Sequence, residues 1–469
     1  MSYSAIVTKI HTRPHPNADR LLLGTCLGSQ VVVGLETQDG SLGVFFPTDG
    51  LLSHDYCLNN NLYNASARVK LSLPEGPTGF FDAKPRVKAQ SFRKERSDGL
   101  WMPLESLLWA GPIDGLQEGQ ALTEHHGKLI CEKYFTPATQ QALGGQKFHR
   151  RENRWFPVHE DTKQFRFVAD DVPEDAVLYI TEKLHGTQGR RAHVLDEQPL
   201  KPWQRFLNTH LFQRGFFQHK LAYSHLNGSH RVILEKAPGP GWYGTNDFRY
   251  GVVKDLTLHK GEIIYFEIVG WVNNGVPCKE HEWTENYPEA AVEQGFRVGV
   301  QLGCSKCSQP VPIMPPHDTT KTGLKDLRTR YGDQIQYTYG CEPGTRKLFC
   351  YKIVRVNEDG MAWELSWPQV VSRCRELGIP TVPMLFGPTT LGHLGHLHSC
   401  EGHEALRKTV ESLTDGASTL NPTQIREGVV LRVESTQGIQ YIKNKSHAFG
   451  VLEGYIKEQD SYVDLEEIS

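Results

Sequence analysis

The sequence predicts an α+β protein, a small N-terminal β-barrel followed by a larger body in which strands and helices share the chain. Three observations carry this reading. A length of 469 residues suits two or three domains, each able to bury its own core. Residues 1–115 break into short apolar runs separated by turn signals. From about residue 156 such runs alternate with stretches of helical periodicity.

The barrel is read from "SAIVTKI", "LLLGTCL", "QVVVGLE", "LGVFFP" and "RVKAQSF", with "HPNAD", "TQDG" and "PTDG" among them. Its module is placed at residues 1–118. The last run continues into "RKERSDG", so that Arg86, Lys88, Arg93, Lys94 and Arg96 surround Phe92. That stretch is either a solvated edge strand or a surface that holds phosphates and stacks a base. Residues 119–155 show little periodicity and are read as a connector. In the body, 156–469, "AWELSWPQVVSRCREL" (362–377) and "HEALRKTVESL" (403–413) are helical. The Pro-, Gly- and Cys-rich stretch at about 273–340 is read as an insertion, and no internal repeat is found.

Composition narrows the function classes. Hydrophobic content of 38% and charged content of 22% describe an ordinary globular chain. No run approaches ~18 consecutive apolar residues, so no membrane span is expected. The start, "MSYSAIVTKIHTRPHPNADR", lacks the basic region, apolar core and cleavage site of a secretory leader. Ten cysteines with little pattern suit free thiols in a reducing cytoplasm. A net charge of −3 gives no global pull towards nucleic acid, so any such surface must be local. Cys304 and Cys307 form one C-x-x-C, after Cys278 and before the His-rich "GHLGHLHSCEGH". A structural zinc needs four ligands, so free thiols and a metal site both stay open here.

The stretch "YITEKLHGTQGRR" (179–191) runs an apolar strand straight into Lys183. Alone, K-x-x-G describes a solvated loop lysine. Four other segments change its weight. "IIYFEIVGW" (263–271) is apolar except for Glu267, and a carboxylate in such a run needs a partner, a structural arginine being the plain choice. "REGVVLRVE" (426–434) puts Glu427 at the mouth of another apolar strand. "IQYIKNKSHAF" (439–449) places Lys443 and Lys445 two apart, on one face of a regular strand. "KLFCYKIVRV" (347–356) alternates, with Phe349, Tyr351 and Ile353 sharing a face. Two acids and three lysines from distant segments suggest a phosphate and metal site. A lysine amine attacks phosphorus only when deprotonated, and neighbouring cations lower its pKa. Lys443 and Lys445 would do so for Lys183 and neutralise the phosphate under attack. A divalent metal on Glu267 and Glu427 would assist, and Tyr351 could stack on a base.

In order and spacing, "EKLHG" (182–186), "HRVIL" (230–234), "FEIVG" (266–270), "FCYKI" (349–353), "REGVVLR" (426–432) and "YIKNKS" (441–446) resemble the motifs of the covalent nucleotidyltransferases. These are ATP-dependent RNA and DNA ligases and capping enzymes. Most carry K-x-D-G, whereas His185 here replaces the aspartate, which resembles a branch of RNA ligases reading E-K-x-H-G. No further domain is expected after residue 450, where DNA ligases and capping enzymes carry an oligonucleotide-binding fold. "HPNADRLLLGTCLGSQVVVG" instead resembles a tRNA-binding-type OB fold at the N-terminus. The resemblance therefore implies an OB-like β-barrel followed by a nucleotidyltransferase (ATP-grasp-like ligase) domain of antiparallel sheets with flanking helices.

It also implies an ATP-dependent RNA ligase that joins 3′-OH and 5′-phosphate RNA ends or nicks, with Mg²⁺ or Mn²⁺, acting as a cytoplasmic monomer. Lys183 would take AMP from ATP and pass it to an RNA 5′-phosphate. Glu182 would contact adenine, Tyr351 would stack on it, and Gly186 would belong to the nucleotide-binding loop. Glu267 would meet the ribose or the metal, and Glu427 the metal. Lys443 and Lys445 would hold the transferring phosphate, with Arg231 there or on the 5′-phosphate. His185 would act mainly after adenylation. Gln188 stands where other members carry Arg or Asn and receives no role. Arg86, Lys88, Arg93 and Lys94 would hold RNA phosphates. Two rivals remain: a GTP-using capping-type enzyme, and a non-catalytic RNA- or tRNA-binding protein with a decayed transferase domain. Decay should have removed at least one of Lys183, Glu267, Glu427, Lys443 and Lys445, and all five are present.

Overall fold

In the computed structural model, which describes residues 3–93, 95–144, 152–160, 162–210, 217, 219–230, 232–234, 247–272, 280–282, 334–447 and 449, the N-terminal strands form where apolar runs meet turns. Ala5–Lys9 pairs with Leu42–Pro47, which pairs with Gly99–Pro103, all antiparallel. His11–Pro14, Leu21–Cys26 and Ser29–Gly34 make a second, three-stranded sheet. Among the described residues both sheets end in open edges, and the expected closed barrel is not formed. Two short helices, His54–Asn59 and Ala65–Lys70, start at the side-chain caps Ser53 and Asn64. They bring Tyr56, Cys57 and Ala67 onto Val7, Val44 and Phe46, so an open sheet buries its face without closing on itself.

The connector reading needs correction at both ends. Ala121–Leu122 pairs with Ala5 and Ile6, and Cys131–Lys133 pairs with Gly50–Leu52, so residues 121–133 belong to the N-terminal module. Strands of two or three residues leave no periodicity to read. Further on, Trp155 and Phe156 are buried against Ala192, Val194, Ile263 and Tyr265 of the body. Arg190, only 1% exposed, fixes that segment by donating to the carbonyls of Phe156 (3.2 Å), Pro157 (2.7 Å) and Ser229 (2.8 Å). Its guanidinium also lies over the Phe156 ring.

Two sheets build the body. The first runs in the order Lys163–Gln164, Gly438–Lys445, Gly428–Ser435, Val177–Lys183, Met384–Thr389, antiparallel except for the first pair. The helix Gly402–Thr414 covers one of its faces, packing Ala405, Leu406 and Val410 on Ile180, Val429 and Leu431. The second sheet is antiparallel throughout, in the order Ile233–Leu234, Leu221–Gly228, Thr187–Glu197, Glu262–Gly270, Arg346–Val356, Ala362–Glu364. The helix Trp367–Leu377 buries Val370 and Cys374 against Phe266 and Ile353. Ser366 and Gln369 form its capping box, and Gly378 ends it in the left-handed region at φ 67°. Residues 362–364, expected as its first turn, instead extend the sheet edge.

Most of the presumed insertion, with Cys278, Cys304 and Cys307, lies outside the described residues. Two short pieces of it are described: Glu280–Glu282 pairs antiparallel with Gln334–Gln336. Tyr337 and Tyr339, inside the expected bounds of that stretch, are buried in the body's core. Among the described residues no helix is long and apolar enough to cross a membrane.

Arg190 yields a stability test. Arg190→Ala leaves the buried carbonyls of Phe156 and Ser229 without their donor, and a loss of about 3 kcal/mol in urea unfolding is expected. A loss under about 0.5 kcal/mol, the ordinary size of a surface substitution, would show that the guanidinium does not hold the segment.

Candidate active site

Lys183 is the last residue of its strand, paired with Gly428, which is paired in turn with Lys445. Thr181, Val430 and Lys443 form the next row. Cross-strand partners share a face, so Lys183, Lys443 and Lys445 project from the same side of the sheet. The middle residue of the first row has to be glycine. Gly428 sits at φ 152°, and a Cβ there would lie 2.2 Å from the Asn444 carbonyl oxygen.

The charges converge on Glu427, which immediately precedes that glycine and is fully buried. Lys183 Nζ is 2.6 Å from its Oε1 and Lys445 Nζ 3.7 Å from the same oxygen, while His185 Nδ1 is 3.5 Å from Oε2. Burial alone would raise the Glu427 carboxyl, but Lys183, then His185 and Lys445, hold it down at about 2. Glu427 is therefore an anion at any physiological pH, and Lys183 is its closest cation.

The loop after Lys183 crosses to the second sheet. The His185 backbone N–H donates to the Tyr339 hydroxyl at 2.6 Å, and its ring meets the edges of Tyr337 and Phe449. A Cβ on Gly186 would come within 2.4 Å of the Ile268 carbonyl oxygen and 2.9 Å of Glu267 Cγ, so only glycine lets the loop lie on that strand. Gln188 then pairs with Glu267 in register, and Arg190 with Tyr265, which puts all four on one face. Tyr351 departs from the expected alternation. The register passes from Phe266–Cys350 to Tyr265–Lys352, leaving Tyr351 as the extra residue of a bulge. Its hydroxyl accepts from Gln188 Nε2, and its ring lies 5.3 Å from that of His159. Burial pushes its phenol well above the usual range, so it stays neutral.

Of the residues picked from sequence, Lys183, His185 and Lys445 meet at Glu427, with Lys443 in the adjacent row and Gly186 against Glu267. Glu182 is turned away, accepting from the backbone N–H (2.9 Å) and hydroxyl (2.6 Å) of Thr419, with Arg426 at 3.9 Å. Arg231 and Lys94 lie outside the described residues. Arg86 corrects the N-terminal reading: it is buried, pairs with Asp49 at 2.7 Å and stacks on Tyr134. Lys88 is half-buried and Arg93 exposed. Sequence reasoning missed Tyr337, Tyr339 and Thr419. The first two left a trace, the alternation in "QYTYG", but it fell inside the presumed insertion.

Among the described residues no three His, Cys, Asp or Glu side chains converge as a metal cage. Mg²⁺ and Mn²⁺ do not require one when phosphates are present, because one or two carboxylates plus phosphate and water oxygens complete their coordination. Glu427, with Glu267 across the loop, has the donor chemistry for that role.

Residues 176–447 match the family model described as RNA ligase. No curated protein matches the chain significantly in sequence. Three structures of an RNA ligase from Naegleria gruberi are similar in fold. A mutant in the apo state gives a TM-score of 0.53 at 13% identity, covering 98% of this chain and 100% of that one. Mutants with AMP and Mn, and with ATP and Mn, each give 0.52 at 13% identity over 98% of this chain and 99% of theirs.

The low Glu427 pKa fixes a pH window. A carboxyl depressed from about 4.3 when unfolded to about 2 here contributes stability that is complete above the higher value and lost as pH falls through the lower. Glu427→Gln lacks that titration. The gap in unfolding free energy between wild type and variant should shrink steadily as pH falls through this window. A gap that stays constant would contradict the placement of Glu427 among cations.

Proposed function

The chain belongs to the RNA ligase family, and we propose that it joins RNA 3′-OH and 5′-phosphate ends at the expense of ATP, through a lysyl–AMP formed on Lys183. The observation that carries this reading is the row Lys183–Gly428–Lys445 closing on buried Glu427. Nζ of Lys183 attacks the α-phosphorus of ATP, forming the N–P bond as the P–O bond to pyrophosphate breaks. AMP then passes to the RNA 5′-phosphate, and the 3′-hydroxyl displaces it to close the phosphodiester. The Naegleria enzyme, whose structures hold AMP or ATP with Mn, supports the choice of nucleotide and of Mn²⁺ or Mg²⁺.

Without nucleotide, Lys183 is an ammonium locked to Glu427, which is no nucleophile. Glu427 and Glu267 would hold a divalent cation together with the nucleotide phosphates, which would free Lys183 from its pairing and supply positive charge at the reacting phosphate. Lys445, 3.7 Å from Glu427, and Lys443 beside it then disfavour a third charge on Lys183 and draw the α-phosphate into line. Tyr351, set off by its bulge and held by Gln188, is assigned to stack on adenine. Glu182 acts on the pocket through the Thr419 loop, and His185 steadies Glu427 in the later steps. Arg231 is assigned to phosphate.

The N-terminal sheets serve as an OB-like platform for RNA, with Lys88, Arg93 and Lys94 on phosphates. The seven cysteines among the described residues are free thiols, which suits a cytoplasmic enzyme.

Intact mass after incubation with ATP and Mn²⁺ should show one added AMP, absent in Lys183→Ala and in Lys183→Arg, whose guanidinium stays protonated. An adduct of unchanged yield on Lys183→Ala would end the mechanism, and a GMP adduct from GTP alone would move the protein to the capping class.

Base pairing does not tell an RNA end from a DNA end, so an RNA-specific enzyme must sense the terminal 2′-hydroxyl. A nick with a ribonucleotide 3′ end should be sealed at least about tenfold faster than one with a deoxy end, the loss of one hydrogen bond in the transition state. Equal rates would argue against RNA specificity.

A further inference from the structure

Directly behind Lys445 the N-terminal module touches the body through a charged cluster that the chemistry above does not use. Asp98 lies between the strands Glu95–Ser97 and Gly99–Pro103. Its carboxylate meets His447 Nδ1 at 2.6 Å, and the two side chains are only 17% and 6% exposed. His447 is two residues beyond Lys445. Arg96 Nε is 3.6 Å from the other Asp98 oxygen. Arg166, from the body, donates to Ser29 of the module at 3.3 Å, and Phe167 beside it packs on Phe45.

Asp98 is itself rigidly held. Its backbone N–H donates to the Gln30 carbonyl at 2.8 Å, and the Ser97 hydroxyl accepts from Val32 N–H and donates to the Gly99 carbonyl. Gly99, at φ 155°, lies so close to the Phe45 ring that a Cβ would stand 2.5 Å from it. Burial opposes the charge on Asp98, yet His447 first, then Arg96 and Arg166, hold its carboxyl well below the usual range. From the body side, Ser446 N–H donates to the Glu427 carbonyl at 2.9 Å, and the Asn444 amide donates to Thr414 at 2.8 Å. The end of the lysine strand is thus gripped between its own sheet and the module.

We propose that Asp98 is a positioning residue for the adenylation centre: by fixing His447 it sets the direction in which Lys445 leaves its strand towards Glu427 and the reacting phosphate. The N-terminal module is then part of the machinery that modifies Lys183, in addition to any hold on RNA. This inference rests on the lysyl–AMP reading above.

The test is single-turnover formation of the AMP adduct by the full chain with ATP and Mn²⁺. Asp98→Asn keeps the shape of the side chain and removes its charge. It should slow adduct formation at saturating ATP at least tenfold, with KM for ATP changed less than twofold and the melting temperature within a few degrees of wild type. Asp98→Glu should recover part of the rate. In a Lys445→Ala background, Asp98→Asn should cost less than a further twofold, because the group it positions is gone. A wild-type rate for Asp98→Asn overturns the proposal, as does an equal loss of rate with and without Lys445. Absence of any adduct on the unaltered chain overturns both this inference and the lysyl–AMP reading, whereas the variant results bear on Asp98 alone.

Discussion

The pair between Lys183 and Glu427 is the constraint around which the rest of the body is arranged. A carboxylate this deeply buried is tolerable only with cations in contact, since isolating it from water costs several kcal/mol. Two lysines from distant segments supply them, Lys183 at a strand end and Lys445 at the end of the strand on the far side of Gly428, with the His185 imidazole 3.5 Å away on the other oxygen. Each has to arrive at one point, and that requirement fixes the strand order, the glycine at 428 and the tight loop at 186. The same charge density that makes the resting site stable makes it receptive to a polyphosphate and its metal.

A second constraint is that the two sheets carry different halves of the task. The lysines stand on one, and Gln188, Glu267 and Tyr351 on the other, joined by a loop of three residues. Networks at the far end keep the sheets in register. Arg432 pairs with Glu364 at 2.9 Å and with Glu434 at 2.6 Å and donates to Tyr441, while Lys352 reaches Glu364 at 2.9 Å. A cleft between two sheets is precise only if the sheets do not slide, and these partly buried pairs resist that motion.

Much of this was legible in the sequence because polar residues interrupted apolar strands. Lys183, Glu267, Glu427, Lys443 and Lys445 were visible for that reason, and the helices, read at 362–377 and 403–413 and found at 367–377 and 402–414, through their periodicity. What escaped depended on three-dimensional pairing. The bulge at Tyr351 is a property of two registers meeting, which no single strand discloses. Glu182 reads like a site residue from its place beside Lys183; in the structure it points to the opposite face, where one carboxylate oxygen accepts from Thr419. Arg86 looked like part of a basic surface because sequence counts charge without its partner, and Asp49 lies 37 positions away. The closed barrel failed because helices too short to show a period cover the sheet face instead.

The Lys183 strand and the carboxylate it needs are 244 residues apart in the chain. At roughly 5–20 residues per second, the ribosome makes the partner strands some tens of seconds after Val177–Lys183 has emerged. During that interval the strand has an apolar edge, with Leu178 and Ile180, and no central neighbour, a template for pairing with other chains. The long closure makes this sheet a slow and late event in folding. It also means that a chain ending before residue 427 holds Lys183 without Glu427, Lys443 or Lys445 beside it.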